Sequence, residues 1–165
     1  MEFRKRFVTT IEDLTSYSIF NIKKFLIPIL LLCSAALIIL NLDDMSGWWI
    51  TLITMIITIG LFALLFVVIL KRNLKKQYNS NKLMQAENDV IMDEAGLHIS
   101  AEHGNTNIVW NNVSKAAESK NGFYVYIANM QAFIIPKRLL SAEEEATIRS
   151  LIQTHLPPEK NKLNR

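Results

Sequence analysis

The sequence predicts an α+β membrane protein, with a hairpin of two transmembrane helices followed by a small antiparallel β domain that ends in an α-helix. From Trp48 to Leu70 no side chain is charged, and a helix of this length, about 34 Å, crosses a bilayer. Beyond Lys82, short apolar runs alternate with turn residues, which is typical of strands joined by hairpins. Near the C terminus, Ser141 and Glu144 form a capping box before an apolar helical face.

A second apolar run, from Phe25 to Leu42, predicts the other helix of the hairpin. Pro28 lies in its first turn, where the missing N–H costs little. Mixed polar residues precede the run and no small-x-small cleavage site follows it, so we interpret it as a retained helix and not as a signal peptide. The transmembrane hairpin is therefore predicted over residues 25–70, with spans at 25–42 and 48–70.

The charges around the hairpin predict its orientation. The connecting turn carries Asp43 and Asp44 but no base, whereas Lys and Arg residues flank both outer ends of the hairpin. Because positive residues near helix ends stay in the cytoplasm, both termini are expected inside the cell. Neither apolar run contains Asp, Glu, Lys, Arg or His, which argues against a pump or transporter.

A basic juxtamembrane linker, residues 71–87, follows the second span. Its bases are candidate contacts for anionic membrane lipid, each contributing about 1 kcal/mol near the surface. The alternative, which we favour, is that they only fix the topology. These bases are Lys71, Arg72, Lys75 and Lys76.

Small residues recur at spacings of three and four along the second span, which places them on one helix face. The favoured interpretation is a seam between the two helices, and the alternative is a homo-oligomer contact. The residues of this face are Thr51, Thr54, Thr58 and Gly60.

The N-terminal segment, residues 1–24, has two parts. Phe3 to Thr9 is compatible with a strand. A capping pattern at Thr10 begins a helix that either lies along the inner membrane interface or continues into the first span.

Residues 88–157 are predicted to form the cytoplasmic domain, a meander of about six strands with a final helix, before a disordered tail at 158–165. The Asn121-Gly122 pair indicates a hairpin. The strand that follows alternates so that Tyr124 and Tyr126 share a face opposite Phe123. One of these faces is expected to be exposed or to meet a partner, and tyrosine favours interfaces.

The order of short motifs in this domain resembles the YcxB-like family of bacterial membrane proteins. The resemblance implies a pleckstrin-homology-like (PH-like) barrel capped by a C-terminal helix, at the cytoplasmic face of the bacterial inner membrane. Such a barrel usually has seven strands, so Phe3 to Thr9 is expected to return to the domain as the additional strand. No biochemical activity comes with the resemblance. The motifs are Gly96-Leu97-His98, Trp110-Asn111-Asn112-Val113, Tyr124-Val125-Tyr126 and Ile135-Pro136-Lys137-Arg138.

No motif for catalysis is visible. His98, His103 and His155 are the only histidines, and a zinc site needs three or four converging ligands. There is no phosphate-binding loop and no nucleophile elbow. The net charge of +3 comes from bases clustered at the apolar segments, which is not a nucleic-acid signature. We therefore expect no enzyme activity, no cofactor, no metal site and no nucleic-acid partner.

The sequence thus predicts a membrane-anchored, non-enzymatic interaction module. Its partner is expected to be a protein or a lipid headgroup, with Tyr124, Tyr126, Lys137 and Arg138 among the candidate contacts. The two bases are equally compatible with a solvated surface pair. The alternative function is an immunity protein that protects the cell against a secreted bacterial toxin. A membrane enzyme or transporter is the least favoured interpretation.

Overall fold

The structure is a computed structural model that describes residues 1–40, 48–80, 85–102, 104–129 and 131–163. The predicted acidic turn at 41–47 and His103 lie outside the described residues. The elements, in chain order, are β1 (Phe3–Phe7), α1 (Ile11–Leu40), α2 (Trp48–Ser80), β2 (Asn88–Met92), β3 (Gly96–Ala101), β4 (Gly104–Val109), a 3-10 turn (Trp110–Asn112), β5 (Lys115–Glu118), β6 (Gly122–Tyr126), β7 (Ala132–Pro136), a second 3-10 turn (Lys137–Leu139), α3 (Ala142–His155) and β8 (Asn161–Lys162).

The strands form two four-stranded sheets, with orders β1-β2-β3-β4 and β7-β6-β5-β8. All described pairings are antiparallel except that of β5 with β8. The predicted return of the N-terminal segment is confirmed, because β1 pairs with β2 from Phe3 opposite Met92 to Phe7 opposite Asn88. The strand that precedes the two long helices in the sequence and the strands that follow them therefore belong to one unit. We call this unit, which consists of β1 to β8 and α3, the head.

The described strands form two separate sheets and no closed barrel, so the PH-like barrel or meander implied by the resemblance stays a prediction. The reason for the two sheets lies at Trp110–Asn112, where a 3-10 turn separates β4 from β5. After this turn β5 pairs with β6 and β8 instead of continuing the first sheet. Trp110 is itself buried, as expected of a core residue, and its Nε1 donates to the carbonyl oxygen of Asp93 at 3.0 Å.

One hydrophobic core joins both sheets to α3. Strand alternation directs Phe123 and Val125 into this core and leaves Tyr124 and Tyr126 on the opposite face. The remaining core comes from the first sheet and from the apolar face of α3, which includes Ile148 and other residues. These others are Leu151 and Ile152, and Leu156 joins the core directly after the helix ends.

The helix α3 begins with the predicted capping box. The backbone N–H of Glu144 donates to Oγ of Ser141 at 3.2 Å, and Oε2 of Glu144 accepts from the Ser141 backbone N–H at 2.7 Å. One turn later Arg149 pairs with Glu145 at 2.7 Å. Both pairings follow from helical spacing, and the capping box was expected from the sequence.

The helices α1 and α2 contact each other and expose large apolar side chains. Within the described residues, one segment is long and apolar enough to cross a membrane, Leu52–Ser80, and its most apolar stretch is unburied. In α1, Leu31 and Leu32 are also exposed. The prediction that Pro28 lies in the first turn is wrong, because the helix begins at Ile11 and Pro28 lies inside it. The other transmembrane helix of the predicted hairpin, at 25–42, does not meet the same conditions of length and apolar character and remains a prediction.

Two predicted segments differ from the structure. The linker at 71–87 is helical as far as Ser80, because its Lys, Arg, Leu and Gln residues favour helix and no Gly or Pro interrupts them. The tail at 158–165 contains β8 instead of being wholly disordered. It is held by the backbone N–H of Ala116, which donates to the Lys160 carbonyl at 2.8 Å, and by Leu163, which packs against the core.

Replacing Gly96 by alanine is expected to destabilise the head by about 2 kcal/mol or more. Gly96 has a φ of 152°, and an added Cβ would lie 2.1 Å from the Ile108 carbonyl oxygen. The matched control is Gly104→Ala, where φ is 149° but nothing lies within 4 Å of the added Cβ. Urea unfolding in detergent measures both variants. Equal losses of stability would contradict the close contact at Gly96.

Candidate functional site: the interface between the head and α1

The N-terminal part of α1 lies against the outer face of the second sheet. Tyr17 contacts Tyr124 and Tyr126, with ring centroids 5.3 and 6.0 Å apart, and Phe20 lies 5.1 Å from Tyr124. Tyr124 and Tyr126 are 1% and 0% exposed. We call this contact the docking interface. Its remaining members are Leu14, Ala117, Ala132 and Ile134.

Hydrogen bonds fix the register of the docking interface. The phenol of Tyr126 donates to Oδ1 of Asn21 at 2.6 Å, and Nδ2 of Asn121 donates to Oγ of Ser16 at 3.0 Å. Burial, assisted by the neighbouring Tyr17, raises the pKa of Tyr126 to about 12. The phenol therefore remains protonated at neutral pH and keeps its role as the donor to Asn21.

An ion pair closes the end of the docking interface farthest from the apolar part of α1. Arg138 makes a bidentate contact with Asp13, in which Nη2 lies 2.9 Å from Oδ2 and Nε lies 3.2 Å from Oδ1. Oδ2 of Asp13 also accepts from the backbone N–H and hydroxyl of Thr10, which caps α1. Burial raises the pKa of Asp13, but the hydrogen bonds from Arg138 and Thr10 outweigh it, so the net pKa lies below its ordinary value.

A polar cavity of about 430 Å³ opens beside this ion pair, between the first turns of α1 and the head. Its walls carry charges of both signs, from Glu12 and Asp13 on α1 and from bases on the head. Since the Arg138 charge is already compensated by Asp13, the cavity presents no concentrated charge of one sign. The other lining residues are Ser16, Lys120, Asn121 and Lys137.

Behind the cavity, a second charge network ties the second sheet to α3. Glu118 is buried and accepts from Lys137 and from Arg149, the latter through Nη2 at 2.7 Å. Lys137 also lies 3.3 Å from Glu145. Burial raises the pKa of Glu118, but the hydrogen bonds and charges of Arg149 and Lys137 outweigh it and lower the net pKa. This network has a structural role, and the ammonium group of Lys137 is engaged in it through Glu118 and Glu145.

The structure places the predicted contact residues in two groups. Tyr124, Tyr126, Lys137 and Arg138 come together around the docking interface, and their neighbours belong to this same chain. The tyrosine face is therefore covered by α1 of the same chain, and contact of Lys137 and Arg138 with an external partner stays a prediction. The second group is exposed on α2, which contacts α1. It consists of Lys71, Arg72, Lys75 and Lys76.

The small-residue face of α2 shows two described hydroxyls that bond within the helix. Oγ1 of Thr54 donates to the Ile50 carbonyl and Oγ1 of Thr58 to the Thr54 carbonyl, at 2.9 and 2.7 Å. Thr54, Thr58 and Gly60 are exposed. The choice between a helix seam and a homo-oligomer contact stays a prediction.

The described histidines have structural neighbours. His98 lies 3.1 Å from Asn107 Oδ1 through Nδ1 and 3.4 Å from Asp93 through Nε2. His155 stacks on Trp110 at 5.2 Å. Among the residues whose placement is described, no group of three or more His, Cys, Asp or Glu side chains is arranged to hold a metal ion.

Sequence reasoning missed Ser16, Asn21 and the bridging role of Asp13. Asp13 follows Thr10 by three positions, and a Thr-x-x-Asp pattern at a helix start is fully explained by capping. A signal was present in the apolar spacing of Leu14, Tyr17 and Phe20, which marks a helix face that must be covered. Nothing in the sequence specified that the Tyr124 face covers it.

The architecture defines an α+β protein with antiparallel sheets and one long apolar helix suited to a membrane. Residues 93–152 match a family model described as YcxB-like protein. The chain is also 27% identical over 85 residues to the uncharacterized protein YcxB of Bacillus subtilis (strain 168), a match that covers 52% of this chain and 46% of that protein. Both matches support the resemblance to the YcxB-like family. No solved structure matches the chain.

Removing the Asp13 charge is expected to weaken the docking interface. Asp13→Asn should lower the free energy of unfolding by about 1.5–3 kcal/mol at pH 7, because a buried charged hydrogen-bond partner of Arg138 is lost. The folded-state pKa is lowered, so the contribution is complete above the ordinary value of 3.8 and disappears as pH falls through the folded-state pKa. The difference between wild type and variant should therefore shrink below about pH 3.8.

The matched control is Glu12→Gln, which changes an exposed acid one residue away on the wall of the same cavity. Its effect should stay within about 0.5 kcal/mol at every pH. Urea unfolding in detergent between pH 3 and 7 gives both curves. A pH-independent loss in Asp13→Asn would show that Asp13 contributes through its shape and not its charge.

Proposed function

We propose that the chain is a membrane-anchored, non-enzymatic interaction module. It presents a PH-like head at the cytoplasmic face of a bacterial inner membrane, on a hairpin of two transmembrane helices. Protein partners bind exposed surfaces of the head, and membrane lipid surrounds the hairpin. The observation that carries the proposal is the docking of the head onto the base of α1.

The continuity of α1 supports the placement of the head. This helix is continuous from Ile11 to Leu40, with Pro28 inside it, so the residues that contact the head and the apolar residues belong to one helix. Asn21, the last residue of α1 with a described hydrogen bond to the head, precedes Phe25 by four positions. At 1.5 Å per residue this corresponds to about 6 Å along the helix axis. The head would then lie just below the lipid headgroups.

The charge pattern supports the orientation. The exposed bases of α2, at positions 71, 72, 75 and 76, follow its apolar stretch directly. Lys23 precedes the apolar part of α1 and is exposed. Bases on this side of both helices favour a cytoplasmic head and a turn outside.

The arrangement of the head supports binding over catalysis. Its two sheets and α3 share one core, which is how a PH-like module is built, here with an open sandwich in place of a closed barrel. The charged residues Asp13, Glu118 and Arg138 connect elements of the chain to one another. Their chemistry is used to hold the head rigid.

Topology is tested by single cysteines in a Cys33→Ser background in intact spheroplasts. An impermeant thiol reagent should label Asp44→Cys from outside, and Glu159→Cys only after lysis. Carbonate extraction should leave both proteins in the membrane. Labelling of Glu159→Cys in intact spheroplasts, or release by carbonate, would contradict the anchored cytoplasmic head.

Binding is tested by photo-cross-linking in cells from exposed positions on separate faces of the head, Thr106 on β4 and Gln153 on α3. A probe at Tyr124, which α1 covers, is the matched control. An interaction module should give a product of reproducible mass from an exposed position and only intrachain products from Tyr124. Failure of every exposed position to give an intermolecular product would contradict the proposal.

A further inference from the structure

The turn between β6 and β7 lies at one end of the second sheet. The N–H of Ile127 donates to the Gln131 carbonyl oxygen at 3.0 Å, and the N–H of Ala128 donates to the same oxygen at 3.4 Å, which closes the hairpin. We call residues 127–131 the tip; Met130 within it lies outside the described residues. The sequence of the tip, Ile-Ala-Asn-Met-Gln, contains no charged side chain.

The contacts of α1 show which side of the head carries the tip. Ser16 of α1 meets Asn121, which directly precedes β6, whereas Asn21 meets Tyr126, the last residue of β6. Along α1 towards its apolar part, the docking interface therefore advances along β6 in the direction of the tip. Asn21 is only about 6 Å along the helix axis from Phe25. The tip thus lies on the side of the head nearest the apolar part of α1.

The tip exposes an apolar side chain on this side. Ile127 directly follows the buried Tyr126 but is itself 44% exposed, and Ala128 and Asn129 are exposed beside it. A single exposed apolar residue is ordinary on a surface that faces water. At the level where α1 enters its apolar part, however, such a side chain can bury its surface between lipid headgroups, as the apolar faces of interfacial segments do.

Charges of both signs lie at the same end of the second sheet. Lys115 begins β5 opposite Tyr126, and its Nζ lies 4.2 Å from the centre of the Tyr126 ring. Lys160, whose carbonyl accepts the Ala116 N–H, directly precedes β8, and the acid Glu159 is its neighbour in the sequence. Two bases and one acid attract an anionic membrane surface only weakly. The apolar character of the tip is therefore the stronger signal for lipid.

We propose that the tip inserts into the headgroup region of the cytoplasmic leaflet and attaches the head to the membrane at a second point besides α1. The occupant of this surface is lipid, because the tip is uncharged, exposes Ile127, and lies on the side of the head nearest the apolar part of α1. Two points of attachment fix the tilt of the head relative to the bilayer. This inference rests on the proposed function, because it names the lipid contact of the anchored head.

The experiment uses the full chain in lipid nanodiscs, with an environment-sensitive fluorophore on single cysteines in a Cys33→Ser background and a nitroxide quencher near the top of the lipid acyl chains. Ile127→Cys probes the tip. Lys120→Cys, exposed two residues before β6, is the matched control at the opposite end of that strand. Leu65→Cys, exposed in the apolar stretch of α2, is the reference for the bilayer. Quenching at Ile127→Cys should be at least twofold stronger than at Lys120→Cys; equal quenching at both positions would overturn the proposal.

A second probe, on Asn129→Cys, measures the contribution of the Ile127 side chain. Ile127→Asn should weaken its quenching at least twofold, whereas Val8→Asn, the same change at an exposed apolar residue before α1, should leave it unchanged. If Ile127→Asn destabilises the head, comparison of Asn129→Cys with Lys120→Cys in the otherwise unchanged chain still decides the proposal. Quenching at the tip should persist in neutral lipid, and its loss when anionic lipid is omitted would overturn apolar insertion.

These outcomes are separable from those of the proposed function. Quenching at Leu65→Cys without quenching at the tip would leave the anchored module standing and overturn the lipid contact of the head. Quenching at the tip in a chain whose Leu65→Cys probe is unquenched would uphold the lipid contact and remove the anchor. The absence of quenching at both positions would overturn both.

Discussion

The packing of two tyrosines of the head against aromatic residues of α1 is the contact on which the rest of the account depends. Without it, the outer face of the second sheet would expose Tyr124 and Tyr126, and α1 would meet the head only through polar contacts and its connection to β1. Each aromatic pair adds about 0.5–1.5 kcal/mol beyond the burial of its area. Three such pairs are present, so aromatic packing makes a large contribution to the stability of this contact.

The polar contacts orient this packing. An exposed ion pair would contribute about 0–1 kcal/mol, but Asp13 is buried. Its bidentate contact with Arg138 also makes the geometry of the ion pair specific. Among the described residues, no buried side-chain nitrogen or oxygen lacks a hydrogen-bond partner. The network of Glu118 likewise holds α3 against the second sheet. The head and the base of α1 therefore form one unit in which the buried polar side chains of the described residues have hydrogen-bond partners.

Local patterns were predictable from the sequence, and contacts distant in sequence were not. The Asn121-Gly122 hairpin, the Ser141 capping box and the Glu145–Arg149 pair each depend on residues a few positions apart, and all are present. The return of β1 to the domain was also anticipated, but through the family resemblance. The contact of Tyr126 with Asn21 spans 105 positions, and no local rule specifies it. The strand β8 was missed because the polar composition of the C-terminal residues resembles disorder, while pairing with β5 and the packing of Leu163 hold this segment to the head.

The most direct test of the central claim is a distance measurement between α1 and the head in lipid bilayers. Spin labels at Lys23→Cys and Lys120→Cys, in a Cys33→Ser background, lie at exposed positions on α1 and on the head respectively. Double electron–electron resonance should give one narrow distance distribution, because the docking interface joins the two parts rigidly. A broad or multiple distribution, as for a head on a flexible tether, would contradict the account.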